Sequence, residues 1–235
     1  AEDLECRDYL SQAYISMGDL QKAYEQLQIL SEAQTDNVAV LLRMADVAYM
    51  MENYTAMSEV CDKALHLDTS NLQTYLYYAK ACRGLGDPIR AVAVLSLAIK
   101  LREDYYAARL LRGTILLENH LLDDAAQDAD YLFTHLEPNE DVLLLKARVL
   151  KAQEKMKEAE QVYGMVIEVN PFSLDAYRER YEVRTILGDA AGAAEDEASI
   201  KEMGAEVPGP SEGIEQKIKE KMQQLDPYKV FHNEY

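Results

Sequence analysis

Residues 79–98 read AKACRGLGDPIRAVAVLSLA, and this stretch holds the features that decide the fold. It begins with the small residue Ala79, breaks at Gly86-Asp87-Pro88, and continues through Ala91 and Ala98. The same features return thirty-four residues away in both directions, at Ala45 and Ala64 upstream and at Gly113 and Ala125 downstream. A fixed period of this length is typical of a repeat architecture, in which each copy is one supersecondary unit.

The period runs through most of the chain without an insertion or a deletion. Six copies follow one another, and residues 208–235 remain beyond the last copy. We expect each copy to stack on its neighbours, because a single copy cannot bury its own apolar face. The predicted repeats are 4–37, 38–71, 72–105, 106–139, 140–173 and 174–207.

Each repeat contains two runs with helical spacing, which we name its A helix and its B helix. In the first repeat, Leu10, Tyr14 and Met17 recur at three- and four-residue steps and mark the A helix. Gly18-Asp19 then interrupts the run, because glycine ends helices and aspartate caps the helix that follows. The B helix is marked by Leu20, Ala23, Leu27 and Leu30. The pattern predicts an all-α fold, a solenoid of antiparallel helix pairs.

Small residues recur at one position of the A helices and at another of the B helices. They would let neighbouring helices approach closely, while larger side chains such as Leu27 fill the remaining space. Cys61 and Cys82 lie at core positions of the repeat and are expected to act as small apolar residues there. The small residues are Ser11, Ala45, Ala79, Gly113 and Ala147 in the A helices, and Ala23, Ala91, Ala125, Ala159 and Ala193 in the B helices.

This pattern resembles the tetratricopeptide repeat over about 204 of the 235 residues. The shared features are a small residue in the A helix, Gly-Asp at the turn, alanines in the B helix and proline near the end of the repeat. The resemblance implies a right-handed superhelix whose groove, lined by the A helices, binds a protein or a peptide. Departures from the pattern include Met57 and Tyr181 in place of small residues, and His120-Leu121 in place of Gly-Asp. We therefore expect a distorted turn in the fourth repeat.

The segment that follows the sixth repeat has a helical pattern of its own. A Val207-Pro208-Gly209-Pro210 break precedes SEGIEQKIKEKMQQLD, in which one apolar stripe lies on an otherwise charged helix. The stripe consists of Ile214, Ile218, Met222 and Leu225. Two interpretations stay open. The helix caps the exposed face of the sixth repeat, or it binds a partner or a membrane surface.

Composition restricts the partners and the location. The net charge of -18 argues against nucleic acid, because binding to phosphates needs a basic surface. No apolar run approaches the roughly eighteen residues of a membrane-spanning helix, so we expect no membrane insertion. Unpaired cysteines favour a reducing compartment, and hence the cytoplasm. The chain lacks a recognisable signal peptide and an initiator Met, which predicts a processed or truncated N-terminus and leaves export open.

Motifs for catalysis or for a cofactor are not recognisable in the sequence. It contains no HExxH, CxxC, GxGxxG or GxSxG pattern. His120 with Asp123 and Asp124 could bind a metal weakly, but capping of a helix start explains these residues better. We therefore predict no catalytic residue, no cofactor and no metal site, and a protein that is not an enzyme.

The A helices leave one set of side chains free of packing within the repeat. Large apolar and tyrosine side chains dominate this set and basic residues lie between them, which is typical of the residues that anchor interfaces. The predicted groove residues are Tyr9, Arg43, Tyr49, Leu76, Tyr77, Lys80, Arg83, Leu110, Leu111, Thr114, Leu144, Arg148 and Lys151.

The function predicted from these observations is a non-catalytic scaffold whose groove binds an amphipathic helix or an extended segment. The basic residues Arg43, Lys80, Arg83, Arg148 and Lys151 would pair with carboxylates of that partner. The competing interpretation is that the apolar groups pack across neighbouring A helices. Two other functions stay open: a subunit that self-associates into a homo-oligomer, and an accessory repeat region of a larger protein whose catalytic domain lies outside this chain.

Overall fold

The computed structural model describes residues 4–208, which fold into twelve α-helices without a strand, so the all-α prediction is confirmed. The apolar stripe predicted after the sixth repeat lies outside the described residues. The helices are α1 (Leu4–Ser16), α2 (Leu20–Ala33), α3 (Val38–Met50), α4 (Tyr54–Leu67), α5 (Leu72–Gly84), α6 (Pro88–Leu101), α7 (Tyr106–Glu118), α8 (Leu122–His135), α9 (Glu140–Ala152), α10 (Met156–Val169), α11 (Leu174–Leu187) and α12 (Ala190–Glu202).

The odd-numbered helices are the A helices, and they begin at thirty-four-residue intervals from Leu4 to Leu174. The even-numbered helices are the B helices. Most consecutive helices pack against one another, as α2 does against both α1 and α3. The chain divides into two compact units inside α8: the N-terminal unit ends at Asp128, and the C-terminal unit begins at Ala129.

Every turn between an A helix and its B helix places one residue in the left-handed conformation. The φ angles at these equivalent positions are 76° at Gly18, 55° at Glu52, 75° at Gly86, 59° at His120, 63° at Glu154 and 79° at Gly188. The expected distortion of the fourth turn is therefore wrong, because His120 adopts the same geometry as the glycines. A non-glycine residue pays roughly 1–2 kcal/mol for this conformation, which the packing of the two helices can offset.

Short polar side chains start many of the helices. The Asn37 side chain accepts hydrogen bonds from the amides of Ala39 and Val40 at 3.0 and 3.3 Å, which caps α3. Asp87 accepts one from the amide of Arg90 at 3.0 Å and caps α6. These bonds satisfy amides that have no partner within their own helix. The polar residues between the repeats therefore fix where each helix begins.

Small and large side chains interlock in the core of the N-terminal unit. Ala45, Ala79 and Ala91 are fully buried, and so is the large side chain of Leu95. Met57 is also fully buried, although it stands where other repeats have alanine. Complete burial of a side chain such as Leu or Met contributes about 1.5–3 kcal/mol. Stacking of the helices, more than the propensity of any single helix, therefore holds the unit together.

The cysteines follow the prediction for the core. Cys61 and Cys82 are each 1% exposed, whereas Cys6 on α1 is exposed. Burial raises the pKa of the Cys61 thiol to about 12, and it also raises the pKa of Cys82. Both thiols therefore stay protonated at neutral pH and serve as small apolar side chains.

The C-terminal unit has a core of its own around α9, α10 and α11. Leu143, Ala147, Ala159 and Tyr163 are completely buried in it. The Tyr163 hydroxyl donates a hydrogen bond to Glu179 Oε2 at 2.7 Å, and burial raises the pKa of the phenol. The hydroxyl of the buried Tyr163 is therefore hydrogen-bonded, as buried tyrosine hydroxyls usually are.

Two buried carboxylates interrupt the apolar cores, one in each unit. Asp128 is 1% exposed and accepts hydrogen bonds from Arg112 Nε at 2.8 Å and Nη2 at 2.7 Å. The hydrogen bond to Asp128 raises the pKa of the Arg112 guanidinium. Asp196 is fully buried and accepts a hydrogen bond from Arg180 Nη2 at 2.6 Å. Each carboxylate lies sixteen residues after its arginine, so the two pairs are equivalent.

Candidate functional site

The A helices of the N-terminal unit contact one another, α3 with α5 and α5 with α7, and most of the predicted groove residues lie on them. Leu42, Leu76 and Leu110 occupy the same position of three successive A helices, and all three are half-buried. We call these three residues the leucine row. It places accessible apolar surface on neighbouring helices at one level of the stack.

Other predicted residues of this unit are also accessible to different degrees. Tyr9 is 63% exposed and Tyr49 is 41% exposed. Tyr77, Leu111 and also Leu76 of the leucine row are half-buried and pack partly against the core, as the competing interpretation expects. Thr114 donates its hydroxyl to a backbone carbonyl one turn earlier at 2.8 Å. Packing across the A helices therefore consumes part of this surface and leaves the rest open.

Leu144 does not belong to an accessible surface. It is 7% exposed and packs in the core cluster of the C-terminal unit with Leu143 and Leu150. The helix start at residues 142–145 is apolar on every side, and all four residues there are buried. The expectation that Leu144 can meet a partner is therefore corrected, because its surface is already covered.

Two of the predicted cations in the N-terminal unit already have carboxylate partners. Arg43 pairs with Asp8 on α1, and its Nη2 also donates to Ser11 Oγ at 2.5 Å. Arg83 forms a two-pronged contact with Glu118 on α7, with Nε 3.0 Å from Oε2. Both pairs link an A helix to the next A helix. Their charges are therefore neutralised within the protein.

The predicted cations of the C-terminal unit are paired in the same way. Arg148 on α9 donates to Glu179 Oε1 at 2.8 Å and to Asp175 Oδ2 at 3.0 Å, both on α11. Lys151 Nζ lies 2.6 Å from Glu182 Oε2, also on α11. Burial is the largest single influence on the pKa of Arg148, and it lowers that pKa. The nearby carboxylates Glu179 and Asp175 together outweigh burial, so the pKa is raised. These cations are not available to a partner without breaking an internal pair.

Lys80 on α5 differs from the other four cations. Its Nζ lies 4.9 Å from the centre of the Tyr49 ring and 5.8 Å from the centre of the Tyr77 ring. No ion pair joins it to a carboxylate within residues 4–208. The Tyr77 hydroxyl instead donates to Asp46 Oδ1 at 3.1 Å, and burial together with Asp46 raises the pKa of Tyr77. Lys80 is therefore a half-buried cation held over two aromatic rings.

The ion pairs between A helices were missed from the sequence, although a signal for them exists. Arg43 follows Asp8 by thirty-five residues, and Glu182 follows Lys151 by thirty-one. Opposite charges separated by about one period lie on adjacent A helices in any such array. A search for charges at that separation would have found the neutralised cations and left Lys80 as the exception.

A concave part of the described surface lies elsewhere in the N-terminal unit. A cleft of about 480 Å³ opens between α2 and α4 and is bordered by Ser31, Leu41 and His66. Ser31 stands where later repeats have larger apolar residues such as Leu65 and Ile99, so missing side-chain volume accounts for the cleft. It contains none of the predicted groove residues. The A-helix surface differs from this cleft in presenting several accessible apolar and aromatic side chains on neighbouring helices.

Within the part of the chain that the structure describes, no three His, Cys, Asp or Glu side chains are grouped to hold a metal ion. The weak candidate at His120 forms the turn before α8. None of the helices between residues 4 and 208 is long and apolar enough to span a bilayer.

Comparisons with known proteins identify the fold. No family model matches the chain, and no curated protein matches it in sequence. Among solved structures, a tetratricopeptide repeat protein from Parabacteroides merdae is 19% identical, with a TM-score of 0.75 over 95% of this chain and 88% of its own. PilW, a type IV pilus biogenesis factor, is 16% identical, with a TM-score of 0.74 over 94% of this chain and 99% of its own.

A third neighbour belongs to the same structural group. YrrB, described as a tetratricopeptide repeat protein with an unusual peptide-binding site, is 15% identical, with a TM-score of 0.60 over 83% of this chain and 97% of its own. At these identities the likeness concerns the fold alone. The chain therefore has the fold of tetratricopeptide repeat proteins, which confirms the resemblance seen in its period.

Proposed function

We propose that this protein is a non-catalytic scaffold that binds a segment of another protein across α3, α5 and α7. The observation that carries the proposal is the leucine row, which keeps three large apolar side chains accessible on neighbouring helices. Around it, the cations Arg43 and Arg83 are already paired. Accessible apolar side chains on neighbouring helices, next to charges that are already paired, are typical of an interaction site.

The energy available from this surface indicates what kind of partner it suits. Covering the remaining exposed part of each leucine contributes about 1 kcal/mol, and Tyr49 adds a similar amount. The total of roughly 4 kcal/mol falls short of the about 8 kcal/mol that micromolar binding needs. The partner must therefore supply a polar anchor besides its apolar side chains. An amphipathic helix or an extended segment could provide both.

The neighbours in fold agree with a scaffold in general terms. YrrB is described by a peptide-binding site and PilW by its part in pilus biogenesis. Those descriptions concern those proteins. They support a protein or a peptide as the class of partner here and leave its identity to experiment.

The proposal is tested with two variants that carry the same substitution. Peptides are selected on the immobilised protein from a phage-displayed random library and then titrated against Leu110→Asp and Leu97→Asp. Leu110 belongs to the leucine row, whereas Leu97 is a 54% exposed leucine on the B helix α6. We expect Leu110→Asp to weaken binding at least about tenfold, because a buried unpaired carboxylate costs more than 1.4 kcal/mol, and Leu97→Asp to leave it unchanged. Equal losses in two folded variants would contradict the proposal.

A further inference from the structure

The leucine row needs a polar anchor, and the charges around it restrict where that anchor can be. Arg43, Arg83, Arg148 and Lys151 have carboxylate partners on neighbouring A helices. A partner that used one of them would exchange a partly exposed carboxylate of this chain for its own, so the net gain in energy would be small. Lys80 is the one predicted groove cation whose charge no described carboxylate neutralises.

The surroundings of Lys80 make its charge available at a defined place. The rings of Tyr49 and Tyr77 hold the ammonium group at 4.9 and 5.8 Å, which limits the entropy lost when a ligand binds. The Tyr77 hydroxyl is committed to Asp46 at 3.1 Å, so Asp46 is itself partly satisfied. An ammonium group in such a half-buried position attracts an anion more strongly than a fully exposed lysine would.

From this arrangement we infer that the partner carries a single carboxylate that pairs with Lys80 while its apolar neighbours cover the leucine row. This inference rests on the proposed function and names its partner: a peptide segment with one Asp or Glu beside Leu-like residues. A basic segment would place its charge against Lys80, and a strongly acidic one would meet a surface whose other cations are already paired. One acidic residue is what the charges complement.

The spacing along α5 adds a geometric requirement. Leu76 and Lys80 are four residues apart on one helix, so they are separated by about 6 Å along its axis. The acidic and apolar side chains of the partner must have a similar separation. An extended segment provides it with residues two apart, and a helix provides it with residues three or four apart.

The test uses the same phage-displayed random peptides and asks which residues are enriched. Selections are run on the unmodified protein, on Lys80→Gln and on Arg83→Gln. The two variants remove the same charge from the same helix, but Arg83 is already paired with Glu118. We expect peptides with one Asp or Glu near apolar residues to be enriched on the unmodified protein and on Arg83→Gln. On Lys80→Gln this preference should disappear, and a selected peptide should bind about tenfold more weakly.

Two controls separate loss of the Lys80 charge from loss of the fold. Circular dichroism shows whether each variant is folded, and Lys80→Arg should retain the acidic preference because it retains the charge. Enriched peptides that bind through Leu110 but have no acidic preference, or that carry Lys or Arg instead, would overturn the inference and leave the proposed function standing. Selection of no peptide at all would overturn the proposed function, and the inference with it.

Discussion

One turn position is left-handed in all six repeats, and there the packing of the two helices opposes local backbone strain. Gly18, Gly86 and Gly188 adopt the left-handed conformation at no steric cost. Glu52 and Glu154 adopt it with side chains that disfavour it. The helices on both sides impose the geometry, and the residue type only sets how much free energy the turn costs.

We predict that Glu52→Gly stabilises the protein by about 0.5–1 kcal/mol. Glycine removes a strain of roughly 1–2 kcal/mol that Glu52 bears in the left-handed conformation. This gain is larger than the extra conformational entropy that glycine loses on folding, about 0.5–1 kcal/mol. Unfolding in urea, followed by circular dichroism, measures the change. Glu25→Gly, in the exposed middle of α2, should instead destabilise by about 1 kcal/mol. If both variants lost stability, the strain at Glu52 would be disproved.

The sequence predicts where these turns lie better than it predicts which residue types they accept in the left-handed conformation. Gly-Asp marks the turns at Gly18, Gly86 and Gly188, but it gave the wrong expectation at His120, where a distorted turn was predicted. The free energy that a non-glycine residue costs there is comparable to the free energy gained by burying one aliphatic side chain. Tertiary packing exceeds such a cost, and a local motif contains no information about it.

Within a repeat, the A helix and the B helix contact each other through two facing side chains, which are apolar in some repeats and form an ion pair in others. Arg112 and Asp128 stand where the second repeat has Met44 and Val60, which are 5% and 3% exposed. The two polar side chains are therefore complementary substitutes within one structural framework. The third repeat also has two mostly apolar side chains there. Burial of an ion pair needs both partners, since either charge alone would lose its water without compensation.

We predict that Asp128→Val destabilises the protein by about 3–5 kcal/mol, because it leaves the guanidinium groups of Arg112 and Arg109 without their shared carboxylate. Adding Arg112→Met, which recreates the apolar pair of the second repeat, should recover part of that loss, while Arg109 still lacks this carboxylate. The free energy of unfolding of both single variants and of the double variant, measured in urea, gives the coupling between the two positions. A double variant no more stable than Asp128→Val would show that the pair does not act as a unit.

Helices are predicted from this sequence more securely than the contacts between them. The A helices begin at residues of the thirty-four-residue pattern because apolar spacing and polar caps are local signals. The site was predicted only in part: Leu76, Leu110 and Lys80 are half-buried on the A helices, whereas Leu144 is buried and Arg43 is paired with Asp8. The pairing of Arg43 arises from a residue about one repeat away, and the local pattern contains no information about that distance in space.

At the scale of the whole molecule, α1 is an A helix without a B helix before it among the described residues. Cys6 and Ala13 on α1 are exposed, whereas the equivalent Val40 and Val47 on α3 are 6% and 0% exposed. Only Ser11 of α1 is buried, although the two helices have the same length. The first helix therefore has one packed side where later A helices have two.

We predict that amide hydrogens in α1 exchange at least about thirtyfold faster than those in α3, measured by mass spectrometry on the whole chain. The ratio corresponds to about 2 kcal/mol, the contribution of one large apolar side chain whose burial α1 lacks. Comparison of α1 with α3 is a matched test, because equivalent positions of one unit are compared in one sample. Equal protection would mean that the open side of α1 is covered in solution. Dilution then distinguishes the cause, since cover by a second copy of the chain weakens as the protein concentration falls, whereas cover from within the same chain does not.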